Sequence, residues 1–156
     1  MRSLTLAEPP IVFEGDTPDE SKQQLIKRAR AAFAASKPED AIRAIVDAGQ
    51  EGKYDRIPPA LKSLLIRNAA ELKALVTSSE MYPPVKRSAL QKLAIPTLLL
   101  SGENSTPALK TSDAELERLL PEKHRKRVII QGADHGLWFQ QPDACRNATL
   151  DFLKAN

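Results

Sequence analysis

Residues 127–138 read RVIIQGADHGLW. A β-branched run through Val128, Ile129 and Ile130 ends in a loop bracketed by Gly132 and Gly136, and that loop carries His135. A strand end fixes a position rigidly, and flanking glycines let the chain turn tightly behind an imidazole. This is how a fold presents a general base to a pocket. His135 is one of two histidines in the chain, and its setting favours a proton-transfer role over that of a structural hydrogen-bonding histidine.

The flanking sequence supplies the topology. Residues 95–100, IPTLLL, form an apolar run of the kind buried on both faces of a sheet. They lead into the loop of Ser101, Gly102, Glu103, Asn104 and Ser105. A capping box at Ser112 and Glu115 then predicts a helix through Leu116, Leu119 and Leu120. The strand at residues 127–131 follows, and a last helix begins near Pro142 and carries Ala144, Ala148, Leu150 and Leu153. Strand, helix, strand, helix with short joins predicts parallel strands with crossover helices. Residues 3–6 form one more short strand, stopped by Pro9 and Pro10.

Between these parts the chain is helical and polar-rich. Thr17 with Glu20, and Ser36 with Glu39, predict two capped helix starts. Leu25, Ile26, Ala29 and Phe33 then share one face, as do Ala41, Ile42, Ile45 and Val46. A third helix is predicted after Pro58 and Pro59, with Leu61, Leu64, Leu65, Leu72, Leu75 and Val76 on its apolar stripe. Such stripes face a core or line an apolar cavity, and periodicity alone does not separate the two.

Composition bounds the function. With 156 residues, 42% hydrophobic and 28% charged, the chain is globular and long enough to bury a core. It holds no apolar run of membrane-spanning length and no signal-peptide pattern in MRSLTLAEPP. A single cysteine, Cys145, excludes an internal disulfide framework, suits a cytoplasmic location and is expected to be a structural helix residue. The net charge of +3 is mild. Lys123, Arg125, Lys126 and Arg127, with His124 among them, read as a solvated turn, and nucleic-acid binding is the less favoured alternative. No membrane partner is expected. Two histidines and one cysteine make no zinc-like ligand set, and the six glycines form no phosphate loop, so neither metal nor cofactor is expected.

In parallel sheets, chemistry gathers at the carboxyl ends of strands. Glu8 ends the first strand, Glu103, Asn104 and Ser105 follow the second, and Asp134 and His135 follow the third. A carboxylate bonded to a histidine would fix its tautomer and stabilise the imidazolium formed in proton transfer.

These segments resemble the C-terminal half of an α/β-hydrolase. LAIPTLLLSGENS is similar to that family's seventh strand, and RVIIQGADHGLWFQQPDACRNATLDFL to its eighth strand, histidine loop and last helix. MRSLTLAEPP resembles the sixth strand, and the helical middle resembles the inserted lid. The resemblance implies a partial α/β-hydrolase fold of about three parallel strands with flanking helices and a helical lid. Residues 1–9 and 94–156 would form the core and residues 10–93 the lid. It implies a cofactor-independent hydrolase acting on small ester-like molecules through a nucleophile–His–acid triad, with epoxide or carbon–halogen hydrolysis open if the nucleophile is an aspartate.

His135 matches the family's base. The commonest acid position, three residues after the glycine of the seventh strand, is Ser105 here. Some members place the acid after the sixth strand, where this chain has Glu8. Glu8 is therefore the favoured acid and Glu103 the weaker candidate, against the alternative that Glu8 is a solvated strand-end carboxylate. The family's nucleophile requires a G-x-S-x-G turn or its Asp or Cys variant. Residues 132–136, GADHG, spell an aspartate version, but a bulky loop rather than a helix is expected at residues 137–141, and Asp134 adjoins the histidine directly, which is poor geometry for a partner, so Asp134 is rejected. Trp138 and Phe139 are expected to anchor the loop in the core, with walling of the pocket beside the base as the alternative. The nucleophile and the first five strands would precede Met1, which makes the chain a fragment that catalyses poorly alone and exposes a sheet edge for self-association. The alternatives are a non-catalytic truncated homologue serving as an interaction module, and an unrelated helical adaptor without parallel strands.

Overall fold

The computed structural model describes residues 2–17, 20–49, 52–79 and 81–156. In chain order the elements are β1 (Leu4–Ala7), α1 (Glu20–Ala34), α2 (Pro38–Val46), α3 (Lys53–Arg56), α4 (Pro59–Arg67), α5 (Ala69–Thr77), α6 (Arg87–Gln91), β2 (Thr97–Gly102), α7 (Pro107–Leu119), β3 (Arg125–Ile130), α8 (Leu137–Gln140) and α9 (Pro142–Ala155). The chain divides into two compact units, Met1–Glu14 with Pro84–Asn156, and Gly15–Pro83.

The first unit is built on a sheet of order β1-β2-β3 with both pairings parallel. An unrelated helical adaptor is thereby excluded. β2 is central, and every one of its residues is buried, as its unbroken apolar run predicts. Alternation along β2 then dictates the layers. Leu98 and Leu100 face Ile130, Ala133, Leu137, Cys145 and Phe152, which seats α8 and α9 on one side. Leu99 faces Phe13, Leu116, Leu119 and Leu120, which seats α7 on the other. The result is a sheet between two helical layers.

β1 is an open edge. Leu4 N–H donates to Pro96 O at 2.9 Å and Glu8 N–H to Leu100 O at 3.1 Å. In a parallel ladder the alternate residues, Thr5 and Ala7, turn their backbone groups the other way. All of β1 is only partly buried, as expected for an edge strand.

The second unit is helical. Ala29, Phe33, Ala41 and Val76 form its buried centre, with Ile45 and Leu72 against them. Tyr54 is buried too, donating from its hydroxyl to Glu39 at 3.0 Å, with the Arg43 guanidinium 4.6 Å from its ring centre.

Several local expectations fail for identifiable reasons. Ser36 does not start α2. It sits at φ 58, with its N–H on Phe33 O and the Lys37 N–H on Ala32 O. That is the two-bond closure of a helix C-terminus, so Ser36 ends α1. The cap at Thr17 runs into residues 18 and 19, which lie outside the described residues. Ser112 lies inside α7, whose true cap is Thr106, its hydroxyl accepting from Leu109 N–H ahead of Pro107. The third helix is two, broken at Asn68, which leaves Leu64 and Leu75 exposed. Residues 137–140 are a single helical turn and not a loop. One turn buries only one of its neighbouring apolar side chains. Leu137 takes that place, while Trp138 and Phe139 are 44% and 70% exposed and lie outside the core.

Urea unfolding separates two leucines by their layers. Leu100→Ala is expected to lower stability by about 2–5 kcal/mol. Leu153→Ala, 49% exposed on α9, is expected to stay within about 0.5 kcal/mol. Equal losses at the two sites would contradict this placement of the core.

Candidate active site

The site forms where the carboxyl ends of the three strands meet. β1 stops at Ala7, and Glu8 adopts φ 43. A non-glycine residue in the left-handed region costs on the order of 1–3 kcal/mol and persists only where its surroundings hold it. The holding contact is visible. Gly102 N–H donates to Glu8 Oε1 at 2.7 Å. By the alternation of the β1–β2 ladder, this amide is the next donor on β2, so the Glu8 carboxylate takes the bond that the β1 backbone gives up as it turns away.

The other carboxylate oxygen carries the histidine. Glu8 Oε2 lies 2.9 Å from His135 Nδ1. The Glu8 side chain is 1% exposed and that of His135 is 56% exposed. An ionised carboxylate accepts, which places a proton on Nδ1, and in the neutral ring Nε2 is then the acceptor. A buried acid thus grips one side of a ring whose other side is available to a reacting group.

Gly102 makes this junction close enough. A Cβ at this position would come within 2.6 Å of Asp134 O, 2.7 Å of Ala133 O and 2.7 Å of Ser105 Oγ. Only glycine lets β2 end directly against the loop that carries His135. Asn104 N–H donates to Ala133 O at 2.8 Å and Glu103 N–H to Ile130 O at 3.0 Å, which ties the two loops together.

The remaining candidates have other work. Glu103, the alternative acid, accepts from Gly132 N–H at 2.8 Å through Oε2, and Gly132 turns at φ 71. It shapes the loop, and the hydrogen bond to His135 Nδ1 is made by Glu8 instead. Ser105, at the commoner acid position, is buried with its hydroxyl unbonded. Asp134 Oδ1 accepts from Gly136 N–H at 2.7 Å, and Asp134 N–H donates to Gln140 Oε1 at 2.7 Å, so it braces the start of α8. A helix does begin here, where a loop is expected from the sequence. Asp134 nevertheless lacks the left-handed backbone that marks Glu8, and its carboxylate is turned onto its own loop. Cys145 is fully buried, its thiol directed at Leu137 O. Burial pushes that thiol up, a backbone hydrogen bond opposing, and the neutral form that results is inert.

Sequence reading missed the layer beneath. Asp113, on α7, is buried beside β2 and accepts a hydrogen bond from the Ser101 hydroxyl. Ser101 Oγ in turn accepts from Arg127 Nε at 3.0 Å, and Arg127 also pairs with Glu117 at 3.0 Å. Arg127 was grouped with the solvated basic turn, yet it is directed into this network, and Arg125 donates to Leu120 O at 2.8 Å. The available signal was Asp113 itself, a carboxylate on the same helix stripe as Leu116 and Leu120.

Among the described residues, no group of three His, Cys, Asp or Glu side chains gathers to hold a metal ion. No described helix is long and apolar enough to cross a membrane.

No protein-family model and no curated protein matches the chain. Solved structures do. MenH from S. aureus superposes with a TM-score of 0.73 at 17% identity, over 99% of this chain and 59% of its own. The esterase RhEst1 from Rhodococcus sp. ECU1013 gives 0.70 at 16%, over 98% and 56%. An alpha/beta hydrolase from Sphaerobacter thermophilus gives 0.60 at 19%, over 98% and 58%. The chain therefore spans a little over half the length of these neighbours. At such identities the likeness shows the fold alone, and that fold is part of an α/β-hydrolase fold.

Proposed function

We propose that this chain supplies the base and the acid of a hydrolase active site, His135 as general base and Glu8 as its orienting partner. The reaction is hydrolysis of small ester-like substrates. The observation that carries this reading is the Glu8 carboxylate, held by the Gly102 amide on one oxygen and by His135 Nδ1 on the other.

The chemistry follows from that grip. His135 Nε2 takes the proton of a nucleophile as it attacks the acyl carbon. Glu8 stabilises the imidazolium formed, and the ring then protonates the leaving group. In the second half Nε2 activates water to release the acyl group. Burial of Glu8 strengthens its interaction with the ring, because little solvent screens it. The nucleophile and the oxyanion donors are assigned to polypeptide outside these 156 residues. The second unit, Gly15–Pro83, is assigned the role of a lid, on the strength of its position in the chain between β1 and β2. The small-ester assignment is supported by the RhEst1 esterase among the neighbours.

Two results test this reading. The pure chain should hydrolyse an aryl ester no faster than its imidazole content explains. Fused behind the nucleophile-bearing half of a solved relative, it should give turnover that falls about 10²–10⁴-fold on His135→Ala. Fusion activity indifferent to His135 would contradict the base assignment, and robust turnover by the pure chain would contradict the placement of the nucleophile. Separately, Gly102→Ala should cost about 1–3 kcal/mol in urea unfolding, because backbone oxygens occupy the space of the new methyl. Unchanged stability would remove the close approach on which the site depends.

A further inference from the structure

The Glu8–His135 pair rests on the Gly102 amide, and something must hold that amide. Gly102 ends β2, beyond the ladder to β1 and at the last pairing of the ladder to β3, opposite Ile130. The preceding residue, Ser101, is pinned from two sides. Arg127 Nε donates to its oxygen at 3.0 Å, which leaves the hydroxyl proton to be donated to Asp113 Oδ2. A hydroxyl that accepts from one neighbour and donates to another has a fixed rotor.

Asp113 carries a cost to the fold's stability. It is 1% exposed, and its second oxygen, Oδ1, is buried with no hydrogen-bond partner. Burying a polar atom unpaired costs about 1–3 kcal/mol. An apolar residue at this point of the α7 stripe would avoid that cost. A costly polar residue directly under a reactive pair is a mark of a functional site.

We propose that Asp113 is a positioning residue for the acid–base pair, acting through the Ser101 hydroxyl to hold the Gly102 amide against Glu8. It supplies a hydrogen-bond acceptor rather than a second negative charge. Burial pushes its carboxyl above the usual range; the Ser101 hydrogen bond opposes this, and the nearby Glu8 charge adds to it. Asparagine keeps an acceptor oxygen at the same place and is the near-isostere of this side chain. Direct contact with a reacting group is not part of this role, since Asp113 reaches the site only through Ser101.

The inference rests on the reading of Glu8 and His135 as acid and base, and the two fail separately. Amide hydrogen exchange at Gly102, followed by NMR in the full chain, reads the Asp113 link. Glu8→Gln, read on the His135 ring nitrogens, tests the pair itself. Asp113→Ala should speed Gly102 exchange by about fivefold or more, the factor one net hydrogen bond represents, and Asp113→Asn should restore it. Ser101→Ala, a smaller change that removes the same bond, should match Asp113→Ala and serves where the latter does not fold. A general loss of stability would speed β2 exchange at Leu98 and Leu100 equally, so those amides are the internal reference. Gly102 exchange unchanged in Ser101→Ala overturns the proposal. So does an Asp113→Asn variant as fast as Asp113→Ala, because that outcome makes charge the active property.

Discussion

The Glu8 carboxylate is the interaction on which the site depends. One oxygen replaces a missing backbone acceptor at the end of the β1–β2 ladder, and the other receives His135. The first contact makes the second possible. It holds Glu8 at φ 43, a conformation the residue would not otherwise keep, and so aims its second oxygen across the end of β2. The carboxylate comes from residue 8 and the imidazole from residue 135, and the parallel register of the sheet is what closes that distance.

Everything nearby serves this bridge. Gly102 is a glycine because two carbonyls and a hydroxyl fill the space of a side chain. Glu103, a candidate acid by position, is consumed in shaping the turn at Gly132. Asp134 is consumed in starting α8. Three carboxylates therefore lie near the histidine in sequence or in space with three different duties, and what assigns the duties is which backbone amide each one accepts.

Much of this was legible in the sequence. The apolar run ahead of Ser101 gave away a central strand, because only a strand covered on both faces dispenses with alternation. The glycine-bracketed histidine and the strand-end Glu8 were readable for the same reason: parallel strands put their carboxyl ends together. The failures were of two kinds. Local caps misled at Ser36 and Ser112, because a serine followed three residues later by a glutamate also occurs where a helix ends or continues. Trp138 and Phe139 misled because hydrophobicity says nothing about which way a single turn faces. The network of Asp113, Ser101 and Arg127 was invisible because each partner sits on a different element, and only the folded sheet brings them within reach.

The central claim is that Glu8 fixes His135 as the tautomer protonated on Nδ1, with Nε2 bare. The nitrogen-15 spectrum of the His135 ring in the folded chain tests it most directly. With Glu8 present, the neutral ring should carry its proton on Nδ1. In Glu8→Gln a single carbonyl must serve both the Gly102 amide and the ring, and the Nδ1-protonated form should lose its dominance. A wild-type ring protonated mainly on Nε2, or a spectrum unchanged by Glu8→Gln, would contradict it.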